Sequence, residues 1–280
     1  MTTVLTVAAL TLREAARRRV LRSLAVLTIL LLSLSAWGFT RIDAEFGGLT
    51  SGESRFAASL VLNLVMFGLS LIAALGTAFL AGPTLAGETE SGIALAMLTR
   101  PVRRASVLFG KWLGLVAFGT GFVAVAGLAQ LLIVLVTTGY WPPSPVTGLA
   151  LLAAQAVVLL TLGLLLSTTI SPMASGIVAV GLFGATWIAG VIGGLGAALG
   201  NDSVRRIGTV SQAILPTDGL WRGAMNAFQD PSLLAGFSEA FEGHPFLSAA
   251  PLTPAYLGWA AVWTVLILSL AALAFQRRDL

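Results

Sequence analysis

Charge in this chain is confined to a few short stretches, and that confinement decides what it can fold into. No charged side chain occurs in the 32 residues from Phe56 to Gly87, nor in the 90 from Trp112 to Asn201. Hydrophobic residues make up 57% of the 280 and charged residues 10%, against roughly a quarter charged in a soluble domain. A soluble chain of this length would need polar side chains throughout to cover its surface, so the pattern specifies an integral membrane protein. Cysteine is absent, which excludes disulfides, thiol nucleophiles and Cys-based metal sites. The net charge of +4 is not a nucleic-acid signal, because topology places the charges.

A membrane-crossing helix needs about 20 apolar residues for a hydrocarbon core of about 30 Å. Six segments qualify: 23–40, 56–85, 107–138, 149–169, 174–199 and 252–275. The expected fold is therefore all-α with six transmembrane helices in a single domain over 1–280. The second and third segments exceed a bilayer width and should project beyond it. Basic residues orient the set, since cytosolic loops hold the excess of Lys and Arg. With the N-terminus inside, the inner regions carry eleven basic and four acidic residues, net +7, and the outer regions five and eight, net −3. Both ends are then cytosolic, and 200–250 is an extracytosolic segment. Residues 3–19 read as an amphipathic helix on the cytosolic surface. Val4, Leu5, Ala8, Leu12 and Ala16 fall near one face and Arg13, Arg17 and Arg18 toward the other. A plain cytosolic extension whose arginines only set topology is the simpler alternative. A signal peptide fits poorly, because no small-residue cleavage pattern follows the apolar run.

The one charged interruption between long apolar runs, 87–106, reads GETESGIALAMLTRPVRRAS. Glu88 and Glu90 stand where carboxylates favour a helix N-terminus. Ser91, Gly92, Ile93, Leu95, Met97 and Leu98 then form two turns with apolar projections. Arg100 precedes Pro101 and so avoids helical angles, which ends the helix. Arg103, Arg104 and Gly110-Lys111 follow at the head of the next span. Such a segment suits a lever for a cytosolic partner, and equally an interfacial helix lying on lipid headgroups.

The order acidic stretch, Glu90-Ser91-Gly92, short apolar helix, Arg100-Pro101, Arg103-Arg104 and Gly110-Lys111 resembles the loop between spans two and three of ABC-2 type ABC-transporter permeases. The branch it looks most like is that of the nitrous-oxide-reductase and multicopper-enzyme maturation permeases. ILPTDGLWRGAM, Ile214 to Met225, is a second similarity. The resemblance implies that 3–19 is the elbow helix and that 87–106 is the coupling helix docking on a separate nucleotide-binding subunit. Its implied docking residues are Glu88, Glu90, Ser91, Gly92, Ile93, Leu95, Leu98, Arg100, Pro101, Arg103 and Arg104. It also implies two ATPase copies, a second permease copy (a homodimer, or a heterodimer with a related permease), export, and the bacterial cytoplasmic membrane. ATP and Mg would sit on the partner. This chain has no G-x-x-x-x-G-K-[ST] phosphate cradle of its own and is not itself expected to be an enzyme.

The main rival from another class is an ion-coupled secondary transporter, and a non-transporting structural membrane subunit is a third possibility. Ion-coupled carriers place ionisable residues at membrane depth, and none of the six segments has an acidic residue or histidine in its middle. An intramembrane hydrolase lacks a nucleophile–base pair or metal ligands. Asn63, Gln130 and Gln155 are the polar side chains expected at depth, lining a path or, more simply, bonding helix to helix. Gly190/Gly194 and Gly196/Gly200 allow close helix approach, within one subunit or between two. Phe183 and Trp187 are expected against lipid or protein. A helix from about Asp218, with Thr217 as its N-cap, would be amphipathic through Leu220, Trp221, Met225 and Phe228. It reads as a membrane-surface helix with Trp221 at the headgroups, or as part of a re-entrant pair.

Overall fold

The computed structural model describes residues 3–46, 52–90, 103–230, 244–248 and 250–277. Nine helices and no strand occur among them: α1 Thr3–Arg17, α2 Arg19–Phe46, α3 Gly52–Glu90, α4 Arg104–Thr138, α5 Pro145–Ser167, α6 Pro172–Ala198, α7 Asp202–Ile214, α8 Thr217–Phe228 and α9 Pro254–Arg277. Six of them, α2 to α6 and α9, are long and apolar enough to cross a membrane. The all-helical, six-span expectation therefore holds. The long helices start and stop where local chemistry dictates. Pro145 and Pro172 open α5 and α6 at positions whose N–H would go unused. Gly139 closes α4 at φ 67°, with its N–H on the Leu135 carbonyl at 2.9 Å.

Helix α5 is central. Two thirds of its most apolar window (67%) is buried, against 17% for α2 and α9 at the periphery. The main core joins Phe39 of α2, Leu62 and Met66 of α3, Leu131 of α4, Leu152 and Val158 of α5, Trp221 and Phe228 of α8, and Trp263 of α9. In lipid no hydrophobic force draws apolar helices together, so close packing and interhelical hydrogen bonds hold such a bundle. Both are present. Trp112 donates from Nε1 to the Thr161 hydroxyl at 2.9 Å, tying α4 to α5.

Helix α1 departs from its expected form in one respect. Its apolar side is divided between two surroundings. Ala8, Thr11 and Ala15 are buried, and Gly110 and Gly114 let α4 approach so closely that a Cβ on either would overlap the α1 backbone. Leu5 and Leu12 remain 50% and 39% exposed. The helix stops at Arg17, because a break at Arg18 turns the chain into α2.

The last third differs more. Helix α8 is buried on nearly every side: Thr217, Asp218, Gly219, Leu220, Trp221, Ala224, Met225 and Phe228 are all inside. Trp221 is 1% exposed, so it packs in the bundle and not at a headgroup surface. Thr217 is the first helical residue and Pro216 occupies the cap position, so the expected Thr217 cap is not formed. Helix α7 lies on α6, where Gly193 faces Gly208 across the contact. Ile207, Val210 and Ile214 form an exposed apolar stripe along α7. The buried glycines of α6 are Gly190, Gly193 and Gly196, a three-residue repeat. The sequence pairs 190/194 and 196/200 misassign the face, since Gly200 lies beyond the helix end. The packing at these glycines is within the subunit.

Candidate functional site

One end of the bundle brings the start of α4 against α1 and the ends of α3 and α9. The start of α4 meets α1 at Gly110 and Gly114. It meets the end of α3 through Lys111, whose Nζ donates to the Thr84 carbonyl at 2.7 Å. It meets the end of α9 through Arg104, whose Nη1 donates to the Gln276 carbonyl at 3.4 Å, and through Leu108 against Phe275. Gly82 of α3 abuts Pro172 at the head of α6. Thr3 and Arg277 therefore belong to helix ends that converge on the same side as both ends of the charged segment. Lys111 is 3% exposed. Sequence reasoning placed it at the head of a span without assigning it a contact; a lone lysine inside a charge-poor run was the available signal.

Arg13 and Arg17 are exposed on α1. Arg18 donates from Nη2 to Glu14 Oε1 at 2.5 Å. Arg103 is extended (φ −67°, ψ 126°) just before α4, and Arg104 opens that helix. Glu88 and Glu90 belong to the last turns of α3. Ser91, Gly92, Ile93, Leu95, Leu98, Arg100 and Pro101 lie outside the described residues.

A second layer of polar groups lies deep in the bundle. Gln155, the eleventh of the 23 residues of α5, accepts from Ser70 Oγ at 2.6 Å and donates from Nε2 to the Thr217 carbonyl at 3.1 Å. Thr217 and Thr186 share a hydroxyl hydrogen bond of 3.0 Å. Four helices, α3, α5, α6 and α8, are thus fastened at mid-span. Gln130 donates to Ser35 Oγ at 2.8 Å, joining α4 to α2. Asn63 donates to the Phe246 carbonyl at 3.0 Å. All three amides that the sequence singled out are buried and bond between elements. The oxygens Asn63 Oδ1 and Gln130 Oε1 have no partner among the described residues.

The Gln155–Thr217 bond carries an ionisable group to the same depth. Asp218 is 2% exposed. Its Oδ2 accepts from Arg222 Nε at 2.9 Å and Gln212 Nε2 at 2.8 Å, and it packs against Gly190, where a side chain would collide with the carboxylate. None of the six spans carries an acidic residue in its middle; Asp218 reaches the level of Gln155 on a short helix packed between spans. Above it, Phe67, Trp187, Trp221 and Phe246 form an aromatic cluster, with Phe67–Trp187 centroids 4.7 Å apart and Phe67–Trp221 5.3 Å. Trp187 and the buried Phe183 face protein.

These features define a multi-pass, all-helical membrane protein whose deep polar groups are largely engaged in holding helices together. Among the described residues no group of three or more His, Cys, Asp or Glu is placed to hold a metal. The chain belongs to the ABC-2 family of transporter proteins, whose family model matches residues 6–280. It is accordingly the transmembrane permease subunit of an ABC transporter. No curated protein matches the chain significantly.

Proposed function

We propose that this permease is driven by a separate nucleotide-binding subunit and exports its substrate across the bacterial cytoplasmic membrane. The carrying observation is membership of a transporter family by a chain with no phosphate-binding loop. Two copies would pair, most simply as a homodimer, with two ATPase subunits holding ATP and Mg. The basic end of the bundle would face the cytosol, in keeping with the +7/−3 division of charge. Residues 88–104 would be the lever, and the ties at Lys111 and Arg104 would carry its displacement into α3, α4 and α9. The order of motifs in this loop supports the maturation-type branch of the family.

The test is transport and ATP hydrolysis by the chain reconstituted with its cognate ATPase. Ile93→Asp and Leu95→Asp should abolish transport while the protein still inserts. An apolar side chain buried in a partner groove contributes about 1.5–3 kcal/mol, and a carboxylate there reverses the sign. Normal transport by a correctly inserted Leu95→Asp variant would overturn the lever assignment.

A further inference from the structure

Between α2 and α4, on the side away from α5, runs an open groove of about 510 Å³. Its walls are hydrocarbon almost throughout. The hydroxyl of Thr28, which lines it, is already spent on the Leu24 carbonyl at 2.7 Å. The groove therefore offers a polar ligand no free side-chain donor along its length. It begins at Leu12 of α1 and Leu21 of α2 and reaches Leu32. Eleven residues of helix span about 16 Å, which matches one leaflet, half of a hydrocarbon core of about 30 Å.

The mouth has the opposite character. Arg13 follows Leu12, and Arg22 follows Leu21; Arg17 and Arg19 lie nearby in sequence. All four are exposed, and none makes an ion pair among the described residues. Arg18, in contrast, is neutralised by Glu14. A leaflet-deep apolar slot that ends at the junction of α1 and α2, the stretch of chain that carries these exposed arginines, matches one kind of molecule. We infer that the α1–α2–α4 groove is a binding site for an anionic phospholipid of the leaflet on the basic side, with one acyl chain in the slot and the phosphate between Arg13 and Arg22. Basic residues at a membrane surface attract anionic headgroups, while the slot adds the chain's own contacts. The site does not depend on the proposed ATPase coupling or on the direction of transport.

Native mass spectrometry of the purified, delipidated full chain with added phosphatidylglycerol or phosphatidylcholine tests this. Phosphatidylglycerol should bind at least about tenfold more tightly, given the contribution of each basic residue. Arg13→Gln combined with Arg22→Gln should bring the two lipids close to parity. Gly121 lines the groove, and a Cβ there meets nothing within 4 Å. Gly121→Phe should therefore fill the slot without disturbing the bundle and weaken both lipids; Gly121→Leu is the smaller alternative if the first fails to fold, judged by circular dichroism and a monodisperse elution. Equal binding of the two lipids by the unaltered chain would remove the headgroup site. Unchanged binding by a folded groove-filling variant would remove the slot, leaving only a charged surface. A change in oligomeric state in place of lipid binding would assign the groove to a second copy of the chain.

Discussion

Asp218 brings an ionisable group into the protein at the depth where Gln155 fastens four helices. A charge there is costly in a bilayer, and Arg222 and Gln212 offset that cost by sharing Oδ2. The two partners should not be equivalent under mutation. Arg222→Met leaves a buried carboxylate with half its support, a loss of about 3 kcal/mol or more. Asp218→Asn removes the charge, keeps an acceptor, and should be milder. Thermal unfolding in detergent distinguishes them; a more severe Asp218→Asn would mean that the ion pair is not what anchors α8. His244, outside the spans, is the other informative residue. Its Nδ1 accepts the Phe246 N–H at 3.2 Å, and burial lowers its pKa. A lowered folded-state value means that protonation favours unfolding. Its contribution is therefore complete above the ordinary value of about 6.5 and is lost as pH falls through the lowered one. The unaltered chain should lose thermal stability as pH falls below 6.5 more steeply than His244→Asn, whose amide oxygen can accept the same bond. The buried amides Asn63, Gln130 and Gln155 were legible in the sequence, because a polar side chain within an apolar run must find a partner. Asp218 was not. It lies outside every long apolar run, and linear hydropathy cannot distinguish a helix lying on a membrane from one inserted into it.

Among elements, the contact between α7 and α9 shows how a short helix can end inside an apolar environment. The last carbonyls of a helix lack donors from within it. Three side chains at i, i+3 and i+7 of α9 supply them. Tyr256 donates to the Gln212 carbonyl at 3.1 Å, Trp259 to Ala213 at 3.1 Å and Trp263 to Ile214 at 2.7 Å. The aromatic bodies remain in apolar surroundings while their polar edges terminate α7. Replacing Tyr256 or Trp263 by Phe should each cost about 1 kcal/mol and speed amide hydrogen exchange in the last turn of α7, leaving α2 to α5 unchanged. Uniformly faster exchange would instead show that the contact supports the whole bundle. This ladder could not be read in advance, since its register depends on where α7 ends. The six long helices could be, because their length and lack of charge left no other soluble or membrane structure open. Helix α1 was legible in outline only: its apolar face was evident, but Gly110 and Gly114, which seat part of that face against α4 and leave Leu5 and Leu12 exposed, lie a hundred positions away in the chain.

For the whole molecule, the arrangement separates two kinds of end. Lys111, Arg104 and α1 unite the starts and stops of α1, α3, α4 and α9 on the basic side. On the opposite side the turn between α4 and α5 grips the end of α8, with Tyr140 Oη donating to the Phe228 carbonyl at 2.9 Å and the Ser144 N–H donating to Ala227 at 3.2 Å. Force applied at the charged segment would enter α3 and α4, and Ser70 and Gln155 connect α3 to α5 and α8 at mid-span. That connection requires an outside motor on the proposed reading, and it sets the decisive prediction against Asp218. If ATP binding by a partner drives the cycle, the chain alone in liposomes should transport nothing under a proton or sodium gradient. With its cognate ATPase it should form a complex of about four chains and hydrolyse ATP, and Lys111→Met should lower transport per ATP hydrolysed by loosening the joint between α3 and α4. If Asp218 instead exchanges an ion during transport, the chain alone should move substrate down a proton or sodium gradient, and Asp218→Asn should abolish that movement. Gradient-driven transport without any ATPase would refute the motor-driven reading and make the buried carboxylate, not the charged loop, the centre of the mechanism.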